Sequence, residues 1–260
     1  MNLAGALLER AARATPAAVE TRKHGWWLRH TDGSSWWSGA VLAHDCPAAS
    51  DLAERIEVAE HFYADLGAAV LFQVCPGCPA ELDRVLADRG YRWDSPISLQ
   101  ATTVAKLVKT PPAPGLDVRV DSQPDRRWLA VLAATSESRA DVANETRLLR
   151  RVELPSAYVT VSGGDEPVAI GRAVADDGWT GIFTMATTPG ARRRGAARLV
   201  LSAIEKWAAE QHTQQLYLQV EQSNFAACRL YSAAGFSEVA AYHYRVRDLD
   251  AQGISTILPM

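Results

Sequence analysis

The feature of this sequence that most restricts its fold is a strand pattern that stops at a proline and passes directly into a helix pattern. The segment Met185–Ala197 reads Met-Ala-Thr-Thr-Pro-Gly-Ala-Arg-Arg-Arg-Gly-Ala-Ala. Gly195 and the two alanines after it are small, so an anion can approach the free N–H groups at the helix start, where the helix dipole also favours negative charge. The segment predicts a diphosphate site, although a basic helix start on a solvated face explains the same residues.

A second segment that predicts a capped helix follows the strand pattern that ends at Val220. Residues Asn224–Phe236 read Asn-Phe-Ala-Ala-Cys-Arg-Leu-Tyr-Ser-Ala-Ala-Gly-Phe. Asn224 is placed to cap a helix at its N-terminus, and Gly235 is placed to end that helix. Tyr231 falls inside the helix, where a core aromatic residue is an alternative explanation. The strand-helix-strand order of these segments implies at least one parallel strand pair.

Together the two segments resemble the GNAT superfamily of acetyl-CoA-dependent N-acetyltransferases, over roughly residues 116–247. The family pattern Pro-x-x-Arg/Gln-x-x-Gly-x-Gly/Ala, which follows a strand and opens a helix, is matched by Pro189, Arg192, Gly195 and Ala197. The second family pattern, Asn-x-x-Ala-x-x-Leu-Tyr-x-x-x-Gly-Phe, is matched by Asn224, Ala227, Leu230, Tyr231, Gly235 and Phe236. The resemblance implies an α/β (α+β) fold with a mixed central sheet flanked by helices.

The resemblance also implies a coenzyme site and a reaction path. The pantetheine arm of acetyl-CoA would pair with the strand near Met185–Thr187, where a backbone N–H would stabilise the tetrahedral oxyanion. Tyr231 aligns with the general acid of the family, the phenol that protonates the coenzyme A sulfur. No carboxylate or histidine lies in Gly181–Thr188, so the base stays open between Glu221 and water. The residues expected to bind the coenzyme are Met185, Ala186, Thr187, Arg192, Arg193, Arg194, Gly195, Ala196, Ala197, Asn224 and Tyr231.

The first half of the chain repeats part of this pattern. Leu71–Val74 corresponds to Tyr217–Val220, and Gly90-Tyr91 corresponds to Gly235-Phe236, at an offset near 145 residues. Self-similarity at a fixed offset indicates an internal repeat, with two unrelated α/β halves as the alternative. Leu86 stands where the repeat aligns Tyr231. The first half is therefore expected to lack the general acid.

The repeat leads to a tandem arrangement of two GNAT-like domains. We predict a degenerate, truncated domain without a coenzyme site at residues 1–105, a Pro-rich linker at 106–115 and the catalytic domain at 116–260. The turn Leu42–Ser50 of the first half lacks the Arg-x-x-Gly-x-Ala sequence. Strands are expected at Trp26–His30 and Trp36–Leu42 around a turn at Asp32-Gly33, and a helix over Arg192–Gln211.

The charge balance argues against nucleic acid as a partner. The chain has 27 Lys and Arg residues against 30 Asp and Glu residues, a net charge of −3, whereas nucleic-acid-binding domains carry a basic footprint. No apolar run approaches the ~18 residues that a membrane span needs. Four cysteines in 260 residues do not make a disulfide framework. We expect a cytoplasmic protein, a monomer or homodimer, that contacts neither nucleic acid nor membrane.

The cysteines allow three interpretations. His44, Cys46, Cys75 and Cys78 form a Cys₃His set that zinc could use, but no metal is assigned. A redox pair at Cys75 and Cys78 and cysteines without a special role are the alternatives.

The expected activity is transfer of acetyl from acetyl-CoA to the primary amine of a small molecule by direct attack, with Tyr231 as the general acid. The alternatives are a protein lysine or N-terminal acetyltransferase and a non-catalytic CoA-binding regulatory protein. Glu137, Asp141 and Glu145 lie in a helical region that borders the acceptor in this family, which hints at a cationic amine. A solvated acidic face explains these three residues equally well.

Overall fold

The computed structural model describes residues 2–31, 36–44, 51–108, 111 and 113–248, with the backbone alone at Trp36. None of the described helices has both the length and the apolar composition that a membrane span requires. In chain order the helices and strands are α1 (Leu3–Ala14), β1 (Val19–Lys23), β2 (Trp26–His30), β3 (Val41–Leu42), α2 (Leu52–Asp65), β4 (Val70–Val74), α3 (Leu82–Asp88), β5 (Arg92–Thr103), β6 (Asp117–Asp121), α4 (Arg126–Thr135), α5 (Arg139–Leu149), β7 (Ser156–Gly163), β8 (Glu166–Asp176), β9 (Trp179–Thr187), α6 (Ala196–Glu210), β10 (Gln215–Glu221), α7 (Phe225–Ala233) and β11 (Ser237–Arg247).

The chain divides into two compact units. The first consists of Met1–Ser98 together with Ala240–Met260, and the second of Leu99–Val239. These limits differ from the expected linker at 106–115, which lies inside the second unit. Strands β5 and β11 are each divided between the units. The domain limits 1–105 and 116–260 stay a prediction.

In the first unit, strands β1 to β4 lie in chain order, followed by β11. The β1–β2, β2–β3 and β4–β11 pairs are antiparallel, whereas β3 and β4 run parallel. Helices α2 and α3 contribute to one buried apolar cluster with these strands. The cluster includes Trp26, Ile56, Phe72, Leu86 and Tyr91.

The strand expected at Trp36–Leu42 is wrong over most of its length. Trp36–Ser38 forms a short 3₁₀ helix, and only Val41–Leu42 is a strand. Side chains take the carbonyls that a strand ladder would use: Arg29 Nη1 donates to the Trp37 carbonyl at 3.2 Å, and Thr31 Oγ1 donates to the Ser38 carbonyl at 3.3 Å. The strand Trp26–His30 is confirmed. The turn expected at Asp32-Gly33 lies outside the described residues.

In the second unit, strands β6 to β9 form an antiparallel meander, and β10 pairs with β9 in parallel. This confirms the parallel pair expected from the sequence. Helix α6 packs against the sheet through a buried cluster that includes Val159, Ile182, Val200 and Ile204. The helix begins at Ala196 and not at Arg192, because Gly195 has a left-handed backbone and ends the non-helical turn before it.

The two halves end corresponding helices with the same hydrogen bonds. After α3, the Tyr91 N–H donates to the Leu86 carbonyl, and after α7 the Phe236 N–H donates to the Tyr231 carbonyl, both at 3.0 Å. After α2, the Ala68 N–H donates to the Tyr63 carbonyl, and after α6 the Thr213 N–H donates to the Ala208 carbonyl, again both at 3.0 Å. All corresponding residues are 145 positions apart. The repeat read from the sequence is therefore present in the local geometry.

Candidate functional site

The site is built around a β-bulge between β8 and β9. Ile170 pairs with Ala186 and Arg172 with Phe183, so the single residue Gly171 opposes two residues of β9. Those two residues are Thr184 and Met185. Thr184 has a φ of +49°, a left-handed conformation that is rare for a β-branched residue. Such strain persists only where the surrounding structure holds it in place.

Two neighbouring side chains and the lack of a side chain at Gly171 maintain this bulge. Thr184 Oγ1 donates to Glu145 Oε1 on α5 at 2.8 Å. Trp128 Nε1 of α4 donates to the Gly171 carbonyl at 3.3 Å. A Cβ on Gly171 would lie 2.5 Å from Val200 Cγ1 and 2.7 Å from Met185 Sδ, so the bulge requires a glycine opposite it. Residues far apart in sequence thus fix the course of β9.

Beyond the bulge, β9 loses its parallel neighbour. The β9–β10 register ends at the pair Ile182 and Leu218, although β9 continues to Thr187 and β10 to Glu221. The residues Met185, Ala186 and Thr187, all half-buried, lie in this final part of β9. A strand edge without a ladder partner is a place where an extended ligand can add its own hydrogen bonds.

The start of α6 follows directly and has the features of an anion site. Gly195 is the N-cap, with φ +85° and no side-chain cap. The Arg198 and Leu199 N–H groups donate to the Gly195 carbonyl at 3.0 and 3.1 Å. The N–H groups before them belong to the first turn, which has no carbonyl partners inside the helix. Among the described residues, a Cβ on Gly195 would meet only Ala113 Cβ, at 4.0 Å, so these residues leave the approach to the N–H groups open.

The remaining residues of this segment surround the helix start. Ala196 is buried, Ala197 is half-buried, and the side chains of Arg192, Arg193 and Arg194 are exposed. The exposed guanidinium groups are free to turn toward an anion at the helix start, where the dipole already favours negative charge. The structure therefore places the predicted phosphate-binding residues in one continuous turn.

Tyr231 lies on α7 and is 6 % exposed. Its ring packs edge-to-face on Phe236, with centroids 6.0 Å apart. Burial removes the phenolate from water and raises the pKa of Tyr231 to about 12. The phenol is protonated at neutral pH, as an ordinary tyrosine is, and protonation is a requirement for a general acid. Tyr231 and Ala196 belong to one buried cluster, against which Met185 packs, so three segments separated in sequence come together.

Asn224 and Asp141 have clear structural roles. Asn224 Oδ1 accepts from the Ala227 N–H at 3.1 Å and caps α7, as the sequence predicted. A contact between Asn224 and a coenzyme stays a prediction. Asp141 forms a capping box with Ser138 at the start of α5. The capping box explains Asp141 without any substrate.

Two carboxylates are candidates for the base. Glu221 is the exposed last residue of β10, and its Oε2 accepts from Ser223 Oγ at 3.4 Å. Glu145 is half-buried on α5 and reaches the bulge through its hydrogen bond from Thr184. No sequence pattern distinguishes Glu145 from its acidic neighbours, because its proximity to Thr184 depends on how α5 packs on the sheet.

A buried arginine completes the electrostatics of the bulge. Arg172 is 1 % exposed, and its guanidinium carbon lies 4.8 Å from the centre of the Phe183 ring. Burial lowers the pKa of Arg172, while the charge of Glu145 acts in the opposite direction. Burial also raises the pKa of Tyr158, which is hydrogen-bonded to Arg172. Glu145 thus interacts electrostatically with the Arg172 charge and also accepts a hydrogen bond from Thr184.

The residues of the proposed zinc set are only partly described. Cys75 and Cys78 lie close together after β4, with their sulfurs 3.7 Å apart. His44 Nε2 lies 3.4 Å from Glu9 Oε1, and Cys46 lies outside the described residues. Within the described part of the chain, no group of three or more His, Cys, Asp or Glu side chains is arranged to hold a metal ion.

Comparisons with known proteins identify the family of the chain. Residues 6–247 match the protein family described as "Probable histone acetyltransferase Rv0428c C-terminal". The chain is 25% identical over 248 residues to an uncharacterized N-acetyltransferase, YobR, of Bacillus subtilis, with 92% of this chain and 97% of that protein covered.

Solved structures show the same fold. A GCN5-related N-acetyltransferase from Kribbella flavida superposes with a TM-score of 0.73 at 17% identity, covering 95% of this chain and 96% of that one. A tandem GNAT protein from the clavulanic acid biosynthesis pathway superposes with a TM-score of 0.62 at 10% identity, covering 79% of this chain and 72% of that one.

Proposed function

Because the chain belongs to the family described as "Probable histone acetyltransferase Rv0428c C-terminal" and to the GNAT superfamily of N-acetyltransferases, we propose that it transfers acetyl from acetyl-CoA to a primary amine. One observation carries the proposal: the bulged strand β9 loses its parallel partner and runs into a helix start without a side-chain cap. These two features offer a strand edge and an anion site in succession.

The residues present fit acetyl-CoA. The open approach above Gly195 leaves room for a diphosphate at the first turn of α6, with Arg192, Arg193 and Arg194 supplying positive charge. The backbone of Met185–Thr187 would hold the pantetheine arm. When bound, the coenzyme supplies an acetyl group activated as a thioester.

Tyr231 is proposed to hold the proton that the leaving sulfur requires. The phenol is protonated at neutral pH and can therefore donate to the departing sulfur, although burial, by raising its pKa to about 12, makes it a weaker acid than an ordinary tyrosine. Desolvation is the main cause of the raised pKa, so the same burial that keeps water away from the phenol also preserves its proton.

For removal of the proton from the acceptor amine, we favour Glu145 as the base over Glu221 and over water alone. The Glu145 carboxylate is half-buried and touches the bulge residue Thr184, whereas Glu221 is exposed. A carboxylate held beside the bulge would attract a cationic amine and accept its proton directly or through one water. The hydrogen bond from Thr184 holds this carboxylate beside the bulge.

The acceptor proposed first is a small-molecule primary amine. A lysine side chain of a protein is the second candidate, favoured by the histone acetyltransferase description of the family. A carboxylate at the bulge suits the ammonium group of either class.

Release of free thiol from acetyl-CoA, measured with a panel of small amines and of lysine-containing peptides, tests the proposal. Tyr231→Phe should lower kcat by roughly 10²–10⁴-fold with little change in the KM for acetyl-CoA. Tyr91→Phe removes a buried phenol of the first unit that donates to Glu60, and it should leave turnover unchanged. Binding of acetyl-CoA without transfer to any amine would instead support a non-catalytic CoA-binding protein.

A further inference from the structure

Two cysteines of the first unit face each other across a tight turn. In the sequence Cys75-Pro76-Gly77-Cys78, the Cys78 N–H donates to the Cys75 carbonyl at 3.0 Å. Proline in the second position and Gly77 in the third, with φ +121°, are the residues such a turn favours. The acetyl-transfer site uses neither cysteine.

The turn brings the two sulfurs into contact. Cys75 Sγ and Cys78 Sγ are 3.7 Å apart, and the Cys75 N–H donates to Cys78 Sγ at 3.4 Å. The first and last Cα atoms of a β-turn are less than about 7 Å apart, and disulfides span roughly 4.4–6.8 Å between Cα atoms. A side-chain rotation is therefore enough to bring the sulfurs to bonding distance.

The turn is also fixed from outside. The Asn2 side chain donates to the Pro76 carbonyl, and its oxygen accepts from the Gly5 N–H at 2.8 Å to cap α1. Gly77 has a φ of +121°, which residues with a Cβ rarely adopt, and a Cβ there would also lie 2.8 Å from the Asn2 amide nitrogen, so the turn favours glycine. Because the turn is anchored in this way, the two thiols are held near each other before any reaction.

The two thiols differ in environment. Cys75 is buried, whereas Cys78 is half-buried. The Cys75 N–H donates to Cys78 Sγ, the two sulfurs are in contact with either able to donate, and the Cys78 thiol also lies 3.5 Å from the Gln73 carbonyl. The Cys75 hydrogen bond lowers the pKa of the Cys78 thiol, and the same interaction together with burial raises the pKa of Cys75. Cys78 is thus the more accessible of the pair, and it is the thiol whose pKa is lowered.

We propose that Cys75 and Cys78 are a reversible thiol–disulfide site, oxidised by a low-molecular-weight disulfide. The Cys78 thiolate attacks one sulfur of the external disulfide, whose S–S bond breaks and releases one thiolate. Cys75 then loses its proton to water and attacks the Cys78 sulfur, releasing the second thiolate. Two protein thiols are oxidised to one disulfide, and the external disulfide is reduced to two thiols.

The test uses the full chain and oxidised glutathione, followed by alkylation, trypsin and mass spectrometry. Each cysteine region falls on its own tryptic peptide: Cys75 and Cys78 on residues 56–84, Cys46 on residues 30–55 and Cys228 on residues 207–229. The expected result is that peptide 56–84 resists alkylation and loses about 2 Da through removal of two hydrogens. Dithiothreitol should reverse this change.

Single variants separate the steps. Cys75→Ser should accumulate a glutathione adduct on peptide 56–84, because the closing thiol is absent. Cys78→Ser should accumulate little adduct, and Cys228→Ser should oxidise like the wild type. Alkylatable cysteines in the oxidised wild type, or a bridge to Cys46 or Cys228, would overturn the proposal. The proposal would also be overturned if the folded protein resists oxidation while the protein unfolded in urea forms the disulfide, because the fold would then oppose the bond.

Discussion

Replacing Gly195 by glutamate separates coenzyme binding from the stability of the fold. Gly195 has a φ of +85°, and a left-handed conformation destabilises an L-residue by roughly 1–2 kcal/mol. Within the described part of the chain, the nearest heavy atom to the new Cβ would be Ala113 Cβ at 4.0 Å, so no steric clash with these residues adds to this strain. The carboxylate would lie beside the N–H groups of the first turn of α6 and would repel a diphosphate.

Gly178→Glu is the matched control. Gly178 lies in the turn between β8 and β9 with φ +77°, and a Cβ added there would meet no heavy atom within 4 Å. The control therefore adds the same charge and nearly the same backbone strain to the same unit. Both variants should unfold at a lower temperature than the wild type without ligand.

Thermal unfolding with and without acetyl-CoA measures the difference. At about 100 times its Kd a ligand stabilises the folded protein by roughly 2.7 kcal/mol, which corresponds to a rise in Tm of about 5–10 °C for a chain of this size. The wild type and Gly178→Glu should show this rise, and Gly195→Glu should not. A full rise in Gly195→Glu would refute the assignment of the diphosphate to the start of α6.

Three further changes test the surroundings. Gly171→Ala places a Cβ 2.5 Å from Val200 Cγ1 and should lower the free energy of unfolding by about 1–3 kcal/mol in urea titrations. Thr184→Val removes the hydrogen bond to Glu145 and should reduce kcat/KM, whereas Thr184→Ser should retain it; equal rates for the two variants would count against this bond. The Arg245 guanidinium holds the pKa of Asp83 below its usual value. The stabilisation that this ion pair gives the folded protein is fully present above the ordinary carboxyl pKa. It is lost as the pH falls through the lowered pKa of Asp83. Asp83→Asn should therefore lower the free energy of unfolding at pH 7 by less than about 1 kcal/mol, and a difference that persists in acid would contradict this origin.

The parts of the fold that follow local rules could be predicted from the sequence. Asn224 as a helix cap, Gly235 as a helix end and Gly195 at the helix start depend on the backbone preferences of those residues alone. The parallel pair β9–β10 follows from the strand-helix-strand order. The internal repeat could be recognised from the sequence because Gly90 and Gly235, which are 145 positions apart, end corresponding helices.

Features that depend on tertiary contacts could not be predicted in this way. Trp36–Ser38 has the composition of a strand, yet buried side chains from Arg29 and Thr31 take its carbonyls and leave a 3₁₀ helix. The left-handed Thr184 has no signal in its own sequence, because β-branched residues avoid that conformation. Its partner Glu145 lies 39 residues away, and only the packing of α5 brings the two together.

The internal repeat also offers a comparison for Tyr231. Leu86 and Tyr231 accept the same capping hydrogen bond, and they are 0% and 6% exposed. An aliphatic side chain thus fills this position of the first half without loss of the helix end or of its buried cluster. Packing alone therefore does not require a phenol at Tyr231. Burial of a hydroxyl group opposes folding unless the group is hydrogen-bonded, and here burial also raises the pKa. A buried phenol in only one of two otherwise corresponding helices is consistent with the proposal that Tyr231 is the acid of a single site.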